Sequence, residues 1–73
     1  MDKVIYTKDH KRIIERLKKA REDAGLDQKQ VADKLGKTQS YVSKVEAGQR
    51  RIDVVQLKQF AQVYKKTLDF FIK

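Results

Sequence analysis

Polar side chains that can form hydrogen bonds with the edges of base pairs are concentrated between positions 39 and 47. If this segment is a helix, with about 100° between successive residues, one face carries only uncharged or basic polar groups: Gln39, Ser40, Ser43 and Lys44. Glutamine can pair with adenine, lysine can donate to guanine, and serine can bond to several bases or to phosphate. Val42 and Val45 lie on the opposite face and would attach the helix to a core.

The simplest alternative for this polar face is ordinary exposure to solvent. A solvated helix face usually mixes both signs of charge, whereas the one acid of the segment, Glu46, lies outside the polar arc. Tyr41 borders the apolar face, which predicts that its ring is partly buried. The composition of the face therefore favours contact with a polyanion.

Further groups suited to phosphate flank the segment. Gln28 would stand at the start of the preceding helix, where free N–H groups and the helix dipole favour anions. The loop after the segment contains Gln49, Arg50 and Arg51. Cationic loops typically contact the nucleic-acid backbone, although an ordinary charged surface loop would have the same composition.

The charge of the whole chain agrees with a polyanionic partner. Lysine and arginine number 18 against 10 acids in 73 residues, a net charge of +8, and such an excess favours nucleic acid, an anionic membrane or an acidic protein. Acids interrupt the bases of the first helix, which disfavours a membrane surface. No apolar stretch approaches the roughly 20 residues that cross a bilayer. We expect a soluble, cytoplasmic and nucleoid-associated protein.

Glycines and capping residues divide the chain into helices. Gly25, Gly36 and Gly48 each follow an amphipathic segment, as residues at helix C-termini often do. Asp27, Thr38 and Asp53 are typical N-caps, and Thr7 and Thr67 offer two more. The predicted helices are 8–24, 28–35, 39–47, 54–64 and 68–72. Residues 1–7 would form an arm, with Tyr6 as a hydrophobic staple or in an extended strand.

These elements predict one all-α domain over residues 1–73, a compact five-helix bundle. The apolar spacing places four residues of the first helix inward, namely Ile13, Leu17, Ala20 and Ala24. In the fourth helix the inward residues would be Val54, Leu57, Phe60, Ala61 and Tyr64. Two short helices joined by a glycine-containing turn have the geometry of a helix-turn-helix, here over residues 27–47.

The spacing of these residues resembles the Cro/XRE-type helix-turn-helix family of bacterial and phage repressors. The similarity covers roughly residues 13–72, and its pattern is Arg21-x-x-x-Gly25-Leu26-x-Gln28-x-x-Val31-Ala32-x-x-Leu35-Gly36-x-Thr38-x-x-x-Val42-Ser43-x-Val45-Glu46-x-Gly48. The resemblance implies a five-helix bundle whose third helix enters the major groove.

The resemblance also implies roles for single residues. Gln28, Thr38 and Arg50 would contact phosphate, and the face of Gln39, Ser40, Ser43 and Lys44 would meet the bases. Arg21 and Glu46 would form an internal ion pair that ties the first helix to the third. The sequence departs from the family pattern at three positions. Ile52 stands where proline is frequent, Lys65 where glycine is usual, and Phe70 where a polar residue is usual.

The apolar C-terminus predicts a dimer. Phe70, Phe71 and Ile72 cannot all face inward from one short helix, so we expect an interface formed by residues 67–73 with Phe70, Ile72 and Tyr64. A single exposed phenylalanine would be unremarkable on its own. However, one such module buries only about 600–1,000 Å² on DNA, and two copies about 34 Å apart would read a palindrome.

The expected function is transcriptional regulation, by a repressor that binds a palindromic site on double-stranded DNA as a homodimer. The alternative is a protein-interaction module, such as a DNA-binding antitoxin whose main partner is a toxin. We expect no catalysis, because no nucleophile–base pair, metal cluster or phosphate-binding glycine loop is recognisable. No metal or cofactor is expected either, since the chain contains no cysteine and one histidine. No small-molecule ligand is expected, because 73 residues leave no room for a separate effector-binding domain.

Overall fold

The computed structural model describes residues 8–72, which form five helices and contain no strand. These are α1 (Lys8–Asp23), α2 (Gln28–Leu35), α3 (Gln39–Glu46), α4 (Val54–Tyr64) and α5 (Leu68–Ile72). The prediction of an all-helical bundle is confirmed, and each predicted boundary lies within one residue of the observed one. The expected arm at 1–7, with Tyr6 and Thr7, and the last residue, Lys73, lie outside the described residues.

Local hydrogen bonds explain where three of the helices begin. The carboxylate of Asp27 accepts from the backbone N–H of Gln30 at 2.8 Å, and the Gln30 side chain accepts from the N–H of Asp27 at 2.8 Å. Asp53 and Gln56 form the same reciprocal pair before α4. Thr38 Oγ1 accepts from the N–H of Tyr41 at 3.1 Å before α3. The three predicted N-caps are thus confirmed, and each stabilises its helix by about 1 kcal/mol.

A residue with a left-handed backbone follows each of the first four helices, and it comes directly at the helix end in α2 and α4. Gly36 has a φ of 69°, and its N–H returns to the carbonyls of Ala32 and Asp33. After α4 the same conformation is taken by Lys65, with a φ of 58° and a ψ of 42°. A residue with a Cβ is strained there, by about 1–2 kcal/mol. The chain therefore keeps the turn that glycine would favour and accepts this strain.

The core lies where α1, α2, α3 and α4 meet, and α5 closes it. α1 packs against α3, α4 and α5, while α2 packs against α3 and α4. The largest fully buried side chains are Phe60, Phe71, Leu17, Val31, Val42 and Val45. The two short helices of the helix-turn-helix are thus held by the longer ones on either side.

Two predictions about inward-facing residues are wrong. In α1 the buried residue is Ile14, with Ile13 only half-buried and Ala24 exposed beyond the helix end. The helix is rotated so that Ile14, Leu17 and Ala20 share the inner face, because α1 must meet α3, α4 and α5 together. Val54 is 61% exposed, since the first turn of α4 projects past the core that Leu57 reaches.

The C-terminal region differs from the predicted dimer interface. Tyr64, the last residue of α4, is only 4% exposed, as its inward position in that helix predicted, and Phe70 is half-buried, so neither ring stands free on the surface. α5 lies against α1, where Arg16 Nη1 donates to the carbonyl of Phe70 at 2.6 Å and its guanidinium covers the Phe70 ring at 5.5 Å. Lys66 lies 4.7 Å from the same ring. Ile72, in contrast, is 52% exposed.

Replacing Lys65 by glycine should stabilise the protein. Lys65→Gly removes the steric strain of the left-handed backbone, and the larger entropy of the unfolded glycine chain offsets part of the gain. We expect the free energy of unfolding to rise by about 0.5–1 kcal/mol, which raises Tm by about 3–6 °C for a domain of this size. Thermal unfolding followed by circular dichroism measures the change. Lys65→Ala is the control, because it removes the same side-chain charge but keeps the strain; an equal gain in both variants would rule out this explanation.

Candidate nucleic-acid interface

The turn between α2 and α3 places one face of α3 outward. Only Gly36, Lys37 and Thr38 separate the two helices. Val42 and Val45 are fully buried, so they fix which side of α3 faces the core. All four residues of the predicted base-reading face are exposed, namely Gln39, Ser40, Ser43 and Lys44. The structure therefore brings these four together on the surface of a helix anchored by its valines.

A buried carboxylate connects α3 to two other elements. Glu46 is 3% exposed, and its two oxygens accept from Arg21 Nε at 2.8 Å and Arg21 Nη2 at 3.2 Å. Arg21 Nη1 also donates to the carbonyl of Leu26 at 3.1 Å, in the turn before α2. The hydrogen bonding that Arg21 donates to Glu46, more than the charge of Glu46, raises the pKa of Arg21. This bidentate pair fixes both the distance and the orientation of α1 relative to α3.

Gln28 belongs to the same network. Its Nε2 donates to Glu46 Oε1 at 3.0 Å, and the residue is half-buried at the start of α2. The amide of a glutamine carries two N–H groups, so the second one can still reach a phosphate. The phosphate contact expected of Gln28 remains a prediction, while its contact with Glu46 was not foreseen.

Cationic and hydroxyl groups surround a shallow hollow at the start of α3. Its lining includes Lys37, Thr38, Ser40, Tyr41, Lys44 and Arg50. The hydroxyl of Thr38 accepts from the N–H of Tyr41 and keeps its own hydrogen for donation. Gln49 and Arg51 are exposed in the loop before α4, and the hollow is lined by Arg50 rather than by these two. Of the three loop residues, Arg50 is therefore the one that lies beside the predicted base-reading face.

The ring of Tyr41 is part of the lining of this hollow and contacts two of its cations. The Arg50 Cζ atom lies 4.9 Å from the ring centroid and the Lys37 Nζ atom 5.5 Å from it. Tyr41 also stacks on Phe60, with centroids 6.2 Å apart and the planes 12° from parallel. Burial raises the pKa of the Tyr41 phenol, and the charge of Arg50 opposes that shift. The ring is therefore partly core, as predicted, and partly a support for two cations.

The sequence analysis missed two lysines beside the predicted base-reading face of α3. Lys37 is exposed in the turn, and Lys18 of α1 lines a second hollow together with Arg21, Gln28 and Ser43. A signal for Lys18 was available, since it lies one helical turn before Arg21 and side chains three apart share a face. Lys37 had no such signal, because its position follows from the turn geometry and from Tyr41.

Residues 8–72 contain neither a cluster of metal-ligating side chains nor a helix that could span a membrane. No group of three or more histidine, cysteine, aspartate or glutamate side chains in this part of the chain is arranged to hold a metal ion. None of the described helices combines the length and apolar character needed to span a bilayer.

Removing the charge of Glu46 should destabilise the fold. Glu46→Gln keeps the side-chain volume but leaves the guanidinium of Arg21, which is mostly buried, without its counterion. We expect the free energy of unfolding to fall by about 2–3 kcal/mol, measured by urea denaturation. Glu15→Gln, an exposed position on α1 with the same charge change, should alter it by less than about 0.5 kcal/mol. Equal effects of the two substitutions would show that the pair contributes nothing specific.

Comparison with known families agrees with this geometry. The family model described as Helix-turn-helix matches residues 17–71, a range that contains all of α2, α3 and α4, the C-terminal part of α1 and most of α5. Comparisons with curated proteins and with solved structures gave no significant match. The matched range includes the buried Arg21–Glu46 pair and the exposed face of α3. The chain belongs to the Cro/XRE-type helix-turn-helix family of DNA-binding regulators.

Proposed function

We propose that this protein is a transcriptional repressor that binds a palindromic operator as a homodimer. The observation that carries the proposal is the exposed face of α3, which offers amide, hydroxyl and ammonium groups and no carboxylate. Protein-binding faces favour aromatic and aliphatic anchors, and this face has none. This chemistry supports DNA over a protein partner, and it supports a location in the nucleoid with the DNA that the protein would bind.

Base recognition is assigned to the four exposed residues of α3. Gln39 stands at the first position of the helix, where it can pair with adenine in the major groove. Ser40 and Ser43 are short enough to let the helix approach closely. Lys44 lines the same hollow as Arg50, so it lies at the border between the bases and the backbone and can donate to either.

Phosphate contacts are assigned to the residues around that face. Thr38 and Arg50 line the hollow at the start of α3, and Gln28 begins α2. Gln49 and Arg51 extend the exposed surface along the loop before α4. Contacts of this kind position the helix on the duplex and carry no sequence information themselves.

The dimer is assigned to the C-terminal region. Ile72 is the exposed apolar residue of α5, and the half-buried ring of Phe70 lies two residues before it. Tyr64 is withdrawn from this interface because its ring is buried. The surface area buried on DNA supports binding of a second copy. A single module buries about 600–1,000 Å² of protein surface, whereas specific complexes bury about 1,000–2,500 Å².

Selection of bound duplexes from a random pool tests sequence recognition and reports half-site spacing. With the selected site, Gln39→Ala should cost about 1–3 kcal/mol and relax the preference at one base pair, because the amide is the group that reads it. Competition binding with all four bases at that position measures both effects. A pool that yields no enriched sequence would overturn the proposal.

Arg50→Ala is the matched control that distinguishes a phosphate contact from a base contact. Loss of a phosphate contact should weaken all duplexes alike and reduce the salt slope by about one. If Arg50→Ala changed the base preference instead, its assignment to the backbone would be wrong.

Ile72→Glu should separate dimerisation from folding. The side chain is half exposed, so a carboxylate there is tolerated in the monomer but costs free energy in an apolar interface. We expect weaker self-association in sedimentation and weaker binding to the full palindrome, with half-site affinity retained. Gln62→Glu adds the same charge at an exposed position of α4 and should leave both unchanged. Identical monomer fractions for the parent and Ile72→Glu would contradict this interface.

A further inference from the structure

We propose that Tyr41 is a positioning residue for DNA binding, whose ring holds Arg50 and Lys37 so that both cations meet one backbone phosphate. This inference rests on the proposed function and deepens it. It adds Lys37 as a phosphate-binding residue, and it assigns to the Tyr41 ring a role besides core packing. We name Lys37, Tyr41 and Arg50 the ring clamp.

The distances place both cations over the ring. The guanidinium carbon of Arg50 lies 4.9 Å and the ammonium nitrogen of Lys37 5.5 Å from the centroid of Tyr41. Both lie within the roughly 6 Å at which a cation is attracted to the face of an aromatic ring. The two residues come from different segments, the turn before α3 and the loop before α4. The ring therefore brings together two side chains that the backbone alone would leave independent.

The ring itself is held firmly enough to serve as a support. Tyr41 is half-buried and stacks on Phe60, which is one of the largest fully buried side chains. Tyr41 follows the Thr38 cap by one turn, and its own N–H donates to the Thr38 hydroxyl at 3.1 Å. Its orientation is thus set by the core on one side and by the cap on the other, before any ligand arrives.

The charges around the ring call for an anion. Lys37, Lys44 and Arg50 all line the same hollow, and no carboxylate belongs to its lining. Asp53 is the acid whose charge raises the pKa of Tyr41. Its Oδ1 atom already accepts from the backbone N–H of Gln56 at 2.8 Å, as the cap of α4. Three like charges repel one another, and a phosphate between them would relieve the repulsion. A backbone phosphate beside the groove that α3 enters fits this charge and position.

Double-mutant binding tests the clamp. Binding is measured for five proteins at three salt concentrations, with the selected duplex and with an unrelated one, each labelled. The proteins are the parent, Tyr41→Phe, Tyr41→Leu, Arg50→Ala and the double variant Tyr41→Leu/Arg50→Ala. Tyr41→Phe keeps the ring and should bind within about twofold of the parent. Tyr41→Leu should bind both duplexes about 3- to 10-fold more weakly, with a smaller salt slope. In the Arg50→Ala background the same leucine substitution should have a smaller effect, because Lys37 is then the remaining cation that the ring positions.

A merely structural role for Tyr41 predicts a different pattern. Leucine would then weaken binding equally in both backgrounds, and that result, or unchanged binding by Tyr41→Leu, would overturn the proposal. Thermal unfolding of each variant ensures that binding is measured on folded protein. Lys37→Ala should lower the salt slope by about one, whereas Lys58→Ala, an exposed lysine of α4 outside the clamp, should not change it.

A measurement without DNA separates failure of the clamp from failure of the proposed function. In the free protein the side-chain hydrogens of Arg50 should show an upfield ring-current shift by nuclear magnetic resonance, retained in Tyr41→Phe and lost in Tyr41→Leu. Absence of that shift in the parent would overturn the clamp. A parent that shows the shift but binds no duplex would instead overturn the proposed function, and the role of Tyr41 with it.

Discussion

The position of α3 depends on the buried ion pair between the carboxylate of Glu46 and the guanidinium of Arg21. Burial of a charge is expensive unless the charge is paired and fully hydrogen-bonded, and here Arg21 and Gln28 donate three hydrogen bonds to its two oxygens. These donors come from α1 and from the start of α2, so one acid ties three helices together. The geometry of the pair allows little rotation of α3 about its own axis, because the guanidinium must stay in the plane of the carboxylate.

The recognition surface follows from that constraint. With Val42 and Val45 buried, Glu46 turned inward and Tyr41 at the edge of the core, the other side chains of α3 have only the outer face available. Gln39 and Lys44 are then presented on a rigid element, and the turn before α3 and the loop after it bring Lys37 and Arg50 to its flank. A side chain held in one orientation loses less entropy on binding. The ring of Tyr41 has the same effect on Lys37 and Arg50, since both cations lie over it.

The C-terminal end is arranged to cover the core first and leaves little apolar surface for a partner. Phe71 is fully buried, Tyr64 nearly so, and Arg16 and Lys66 cover the ring of Phe70. The apolar surface that α5 leaves exposed is that of Ile72. A dimer built here would be small and would gain much of its stability from simultaneous binding of two half-sites on DNA.

Features that depend on residues close together in the chain could be predicted from the amino-acid sequence. Helix boundaries and the caps Asp27, Thr38 and Asp53 were predictable because a capping side chain bonds to an N–H only a few residues away. The polar face of α3 followed from helical periodicity, and the partner of Arg21 from the family pattern. The sequence did not predict the inner face of α1, the partial burial of Phe70, or the meeting of Lys37 and Arg50 over Tyr41. These contacts are set by packing between elements far apart in the chain, and the rotation and spacing of each helix depend on all the others.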